Sequence, residues 1–333
     1  RSEHSAMNKL HERAVRLAQK VNDPLLLSLV EMNVSILHQG KLIEAKENLA
    51  RSSQSFDEQV QRSLALQFGM SPTIVARAYL ASCLWLLGYP EQAAQRSQEA
   101  CDLADRLQFP MTICYAVSRA CWRQVFAGEL DAAKLQAEKL LAVTRRHELR
   151  NFEMAAEFFL HWINVQKGDH SLAEVEKIHQ AMEEYLNLGT VLNRTAFLIL
   201  YAQACAAAGQ VARGMEALNE SIELGERTGE RWFEVEAYRT KGELIVQMAA
   251  GSILEEAIAE AEACYQAARR IAAEQEAKML ELRATTSLCR FWQRLGKGQD
   301  GIQLLSEAVN WFTEGFDTLD YGQAKELLAE LKA

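Results

Sequence analysis

Residues 295–301 read Leu-Gly-Lys-Gly-Gln-Asp-Gly, a G-x-G-x-x-G spacing. Placed between a β-strand and a helix, that spacing marks a dinucleotide-binding turn, whose backbone amides cradle a pyrophosphate. The residues in front of it decide the matter. MLELRATTSLCRFWQRL (279–295) sets Leu280, Ala284, Leu288, Phe291 and Leu295 three or four apart, so a helix and not a strand leads into the turn.

The same turn recurs along the chain as HQGKLIEA (38–45), LLGYPEQA (86–93), FAGELDAA (126–133), QKGDHSLA (166–173), AAGQVARG (207–214), AAGSILEEA (249–257) and RLGKGQDG (294–301). The turn glycines are Gly40, Gly88, Gly128, Gly168, Gly209, Gly251 and Gly296, spaced by 48, 40, 40, 41, 42 and 45 residues. Five positions after the glycine stands a small residue, Ala45, Ala93, Ala133, Ala173, Gly214 or Gly301; the sixth unit reaches Ala257 one residue late. A helix commonly ends on a left-handed glycine, and a small side chain lets the returning helix come close. On this reading Gly296 is a C-cap and Gly301 a packing residue of a helical hairpin.

Start signals fit the frame. Asp23-Pro24 and Ser71-Pro72 pair an N-cap with Pro at the first helical position, and Pro90 opens a helix after Gly88. Ser171 with Glu174, and Ser252 with Glu255, have capping-box spacing. No stretch alternates with period two. The chain therefore reads as all-α, a right-handed superhelix of seven hairpins, with first ("A") helices over 24–39, 72–87, 111–126, 151–167, 191–208, 232–250 and 278–295. A helix near 5–21 resembles a second ("B") helix lacking its partner, and the first residue is not Met. Both predict a solenoid cut from something longer on that side. Asp320 is expected to cap YGQAKELLAELKA, whose Ala324, Leu327, Leu328 and Leu331 form one stripe. The whole of 1–333 is thus one solenoid, closed by a capping helix over 319–332 that looks like a natural end.

Composition excludes several classes. The 36 Lys and Arg against 45 Asp and Glu give a net charge of −9 with no basic stripe, which argues against nucleic acid. The longest apolar run, 196–208, is short of the roughly 20 residues a bilayer needs. Seven cysteines, an odd number without C-x-x-C, suggest small reduced hydrophobes and a cytoplasmic location.

A period of about 34 defines tetratricopeptide repeats and about 40–47 HEAT or armadillo repeats. The turn chemistry favours tetratricopeptide-type hairpins with lengthened helices. ARAYLASCLWLLGYPEQAAQRSQEA (76–100), TGERWFEVEAYRTKGELIV (228–246), LELRATTSLCRFW (280–292) and WFTEGFDTLD (311–320) go further. They resemble the C-terminal tetratricopeptide region of bacterial multidomain predicted ATPases, which carry a class III adenylyl/guanylyl cyclase or DNA-binding domain and a STAND-type signal-transduction ATPase ahead of the solenoid. The resemblance covers most of 40–325 and is weakest over 130–190. It implies a regulatory or sensor solenoid within a nucleotidyl cyclase or NTPase, with catalysis upstream of Arg1.

The chain itself carries no G-x-x-x-x-G-K-[ST], H-E-x-x-H, G-x-S-x-G or D-D-x-x-D motif, so no enzyme activity, cofactor or metal is expected in this segment. The expected partner is a protein, peptide or small ligand, or the protein's own upstream domains; passive assembly or self-association as a homo-oligomer is the alternative, and a free-standing helical enzyme is the least favoured reading. A helices line the concave face of a solenoid. Alignment on the turn glycines puts Trp85, Tyr115, Ser118, Trp122, Phe126, Phe158 and Trp162 there as an aromatic channel. Gln203, Tyr238 and Lys241 follow, and Arg283 and Arg290 make a basic end. The same tryptophans also fit a core between rows of A helices. Trp232 and Trp311, beside glycine turns, are expected to fill gaps between hairpins.

Overall fold

A computed structural model of the chain describes residues 2–21, 30, 34–54, 56–189, 192–249 and 255–333. Within them lie seventeen helices and no strand. After α1 (Ser2–Val21), the hairpins are α2/α3 (Val34–His38, Leu42–Ser52), α5/α6 (Pro72–Leu86, Pro90–Leu107), α7/α8 (Pro110–Phe126, Leu130–His147) and α9/α10 (Arg150–Gln166, Leu172–Asn187). They continue with α11/α12 (Arg194–Ala207, Val211–Thr228), α13/α14 (Glu234–Met248, Glu255–Gln275) and α15/α16 (Lys278–Arg294, Gln299–Asn310), closed by α17 (Leu319–Lys332). The long first spacing has a cause absent from the frame: an extra helix, α4 (Glu58–Phe68), stands between the first two hairpins. The expected Asp23-Pro24 cap, Gly251, Ser252 and most of the first A helix lie outside the described residues.

Each described turn glycine does one job. Gly88, at φ +89°, lets its amide donate to Trp85 O (3.0 Å) while Tyr89 N donates to Leu84 O (2.9 Å), the Schellman pair that satisfies carbonyls left open at a helix end. Gly40, Gly128, Gly168, Gly209 and Gly296 repeat that pattern. The small-residue rule holds at Ala45, Ala93 and Ala133, all fully buried. In the third glycine of the G-x-G-x-x-G run a Cβ would lie 2.9 Å from Cys289 Sγ, so Gly301 is set by hairpin packing. Ala173 is a correction: α10 begins two residues later after its glycine than α3, α6, α8 and α12 do, which exposes Ala173 and puts Val175 in the buried position.

Capping is likewise partly as expected. Ser71 Oγ accepts from Ile74 N, with Pro72 at the first helical position. Ser171 Oγ accepts from Glu174 N, but Ser171 N donates to Asp169 Oδ1, so Glu174 is free of the reciprocal bond. Its carboxylate instead takes bonds from Lys177 and Asn164 and lies 2.8 Å from His161 Nδ1. Thr318, not Asp320, caps α17, accepting from Tyr321 N.

The superhelix winds far enough to close on itself. Arg231 N and Trp232 N both donate to His38 O (2.7 and 3.1 Å), and Gln275 lies over Gly40. Trp311 packs against Gly88 and Tyr89. Glu314 Oε1 accepts from Glu91 N and Gln92 N (2.8 and 3.1 Å), capping the start of α6 from more than 200 residues away. Leu319 covers Gly128. The segments 228–234 and 311–320 are thus the latches that seal the first three turns.

Candidate functional site

Closure changes what the concave face can be. Trp122 sits 4.9 Å, centroid to centroid, from both Phe159 and Phe197, and 6.0 Å from Trp232 across the superhelix. Phe126 stacks on Phe233 at 3.8 Å. These rings plug the axis and divide it into a larger vestibule, where A helices end, and a smaller chamber, where they begin.

The vestibule encloses about 420 Å³. Its wall comes from the C-terminal halves of α7, α9 and α11, most of the length of α13, α15 from Arg283 to Arg290, and the start of α17. Across its floor runs a chain of charges. Glu236, 1% exposed, receives two bonds from Arg239 (2.9 Å each) and lies 3.4 Å from Arg283. Arg283 makes a bidentate pair with Asp320 (2.8 and 2.7 Å), donates to Phe126 O and covers the Trp85 ring at 5.3 Å. Arg239 continues to Glu243. Burial would raise the Glu236 carboxyl, but the two guanidiniums outweigh it and hold it below its ordinary value. Burial likewise opposes the charge on Arg283, and Asp320 and Glu236 overcome it, raising its pKa. Around this floor stand side chains with amides and hydroxyls, among them Gln166, Gln203, Thr240 and Gln247. Gln203 donates to Thr240 and Gln247 to Ala206 O, each at 3.3 Å. Arg290 stands on the wall with no ion-pair partner among the described residues. Such a surface can take charged and hydrogen-bonding groups together, as the side chains and backbone of a peptide offer them.

The expected groove residues divide four ways. Trp85, Trp122, Phe126, Phe158 and Trp162 are 1–6% exposed, so the open aromatic channel is replaced by a core. Closure is the reason for three of them, since Arg283 covers Trp85, Trp232 meets Trp122 and Phe126, and Phe233 stacks on Phe126, whereas Phe158 is buried against Phe159 and Phe197. Trp162 and Phe126 still show an edge to the vestibule, the former with its indole bonded to Leu200 O. Arg283 and Arg290 do line it. Tyr115, Ser118 and Trp122 line the small chamber instead. Tyr238 is half-buried outside both spaces, and Lys241 Nζ turns away to Asn219 Oδ1 (2.9 Å). Glu236, Arg239 and Gln247 escaped the sequence reading, and Asp320 was read there only as a cap. The signal was a polar stripe: Glu236, Arg239, Thr240, Glu243 and Gln247 recur at helical spacing along one A helix. Among the described residues no three His, Cys, Asp or Glu side chains converge on a metal-sized site, and no helix is long and apolar enough to cross a membrane.

No protein-family profile matches the chain. It is 20% identical over 238 residues to an uncharacterized protein of Rhizobium meliloti (strain 1021), a match covering 70% of this chain. The chain spans about a quarter, 23%, of that relative's length. Among solved structures it is similar to a Rap protein complexed with competence and sporulation factor, with a TM-score of 0.56 and 13% identity over 92% of this chain and 85% of that one. It is also similar to yeast Tom70, with a TM-score of 0.53 and 10% identity over 93% and 64% of the two chains. A STAND protein with a tetratricopeptide repeat sensor from Pyrococcus horikoshii aligns at a TM-score of 0.46 and 12% identity over 93% and 49%, below the level that establishes a shared fold. The first two likenesses establish the architecture: an α-α superhelix of the tetratricopeptide type.

Proposed function

We propose that the chain is a cytoplasmic sensor module that takes a peptide or protein segment into the vestibule and passes its occupancy to other modules of the same polypeptide. In a bacterial signalling protein of the kind its sequence resembles, those would be a cyclase or STAND-type ATPase. The module itself binds rather than catalyses. One observation carries the reading: a space of about 420 Å³ walled by five successive A helices and the capping helix. A ligand there would touch Arg283 and Asp320, which also hold the closure, so binding and closure share contacts. A Rap protein complexed with a factor is a neighbour in fold, and the much greater length of the curated relative agrees with a module in a larger protein.

The test is selection of peptides from a random-sequence display library against the full chain. Peptides that bind wild type should bind Arg290→Glu about tenfold or more weaker, with the melting temperature unchanged because Arg290 supports no ion pair. Equal binding to both proteins would refute vestibule docking. Exposed Leu66 (78%) and Phe68 (47%) on α4 favour self-association as the second reading, and sedimentation of the free chain as a monomer would remove it.

A further inference from the structure

At the opposite end of the plugged axis lies the small chamber, about 100 Å³, between α7 from Tyr115 to Trp122, the starts of α9 and α11, the end of α10 and the middle of α5. Arg119 lies in its wall and is 4% exposed. Its guanidinium stacks on Tyr79 at 4.9 Å and on Trp122 at 5.5 Å. Its Nη1 has no hydrogen-bond partner, and no carboxylate of the described residues pairs with it. The other guanidinium buried to this degree among the described residues has an acid: Arg123, 5% exposed, is bidentate to Glu129. A buried charge without a counter-ion is costly, and cation–π contacts alone recover only part of that cost.

A second orphan faces the same space, an acceptor that calls for a donor on the ligand's body and not for its carboxylate. Asn193 lines the chamber in the left-handed conformation at φ +65°, 5% exposed, with its Oδ1 unbonded. Glu230 is the nearest acid behind it, but that carboxylate is taken by Asn193 N (2.8 Å) and faces His38 Nδ1 (3.4 Å). Burial raises the Tyr115 and Tyr185 hydroxyls, the latter to about 12, so both remain neutral.

We propose that this chamber is a subsite for a single carboxylate on an apolar body, with Arg119 as its bidentate partner and Tyr79, Tyr115 and Phe152 as its walls. One guanidinium neutralises one negative charge; a doubly charged phosphate would bring a surplus into the same dry space. The carboxylate can belong to a small free acid or to the C-terminus of a peptide. The site is separate from the vestibule, so its failure leaves the vestibule reading standing.

The experiment titrates the full chain at pH 7 by calorimetry and ligand-observed NMR with sodium benzoate, N-acetyl-phenylalanine, N-acetyl-phenylalanine amide and inorganic phosphate. At least one of the two carboxylates binds, the amide and phosphate bind about tenfold or more weaker, and Arg119→Met abolishes binding. Benzoate alone would identify a free acid as the natural class, and N-acetyl-phenylalanine alone a peptide terminus. The ligand-free Arg119→Met protein melts at or above the wild-type temperature, because an uncompensated charge has gone. Should that variant not fold, Arg119→Lys keeps the charge, loses the fork and still weakens binding about tenfold. The proposal is overturned if the amide binds as tightly as the acid, if Arg119→Met binds like wild type, or if neither carboxylate saturates the wild type by roughly 10 mM. In that last case the chamber holds water only.

Discussion

Replacing Arg283 with Met keeps the bulk of the side chain and removes its charge, and it strikes the point where five helices of the superhelix meet. Arg283 on α15 binds Asp320 on α17, Glu236 on α13 and Phe126 O at the end of α7, and covers Trp85 on α5. The Asp320 and Glu236 side chains are only 10% and 2% exposed. Glu236 keeps Arg239 in the variant, whereas Asp320 is left as a nearly buried carboxylate with no cation. Breaking a buried pair from one side costs about 3–5 kcal/mol, and the bonds to Phe126 O and Glu236 belong to the same network, so they do not add in full. The expected loss is therefore about 3–5 kcal/mol, read as a lower urea midpoint by both circular dichroism and tryptophan fluorescence. Arg283→Met with Asp320→Leu should recover part of it, since the orphan charge disappears too. A loss below about 1 kcal/mol, the range of exposed pairs, would refute the view that this network holds the closure.

Three further outcomes follow from the same contacts. Gly88→Ala and Gly209→Ala place Ala at similar left-handed angles (φ +89° and +75°), but only at Gly88 does the new Cβ meet another element, Trp311 at 2.6 Å and Lys278 Cβ at 2.9 Å. Both should lose about 1 kcal/mol to backbone strain, with a clearly larger fall in melting temperature for Gly88→Ala. Glu174 is held at about 2: burial alone would raise its carboxyl, but the bonds from Lys177, His161 and Asn164 prevail. The unfolded chain then takes up a proton that the folded chain refuses, so this contribution is present above about 4.5 and is lost as pH falls towards 2. Glu174→Gln should flatten that part of the stability profile. All seven cysteines are buried and unpaired, and burial pushes Cys83 to about 12 and Cys101 to about 11. A thiol reagent should therefore label the native protein slowly and all seven sites at once on denaturation.

What was legible in the sequence is what local chemistry encodes. A Schellman glycine, a proline at the first helical position and an alanine at a crossing act within a dozen residues, so the hairpin frame could be read directly. Asp320 shows where this stops. As an acid ahead of an apolar stripe it looks like a cap, yet Thr318 is in reach of the amides and Asp320 serves a guanidinium 37 positions earlier. Trp122 shows it again. Helical spacing places its ring on the inner face, but whether that face is open depends on small rotations between repeats, which accumulate until Trp232 arrives on the other side. The unpartnered Arg119 needed the same information, since an absent counter-ion is invisible until every neighbour is placed.

The closure itself is best tested at two backbone amides. Glu91 and Gln92 lie in the first turn of α6, where amides have no partner within the helix, and here both donate to Glu314 Oε1. Residue-resolved hydrogen exchange should find them protected in the wild type and about tenfold or more faster in Glu314→Ala, while the first-turn amides of α12, which no latch covers, exchange fast in both. If Glu91 and Gln92 already exchange in the wild type as freely as those of α12, the superhelix is open and its aromatic face is a groove after all.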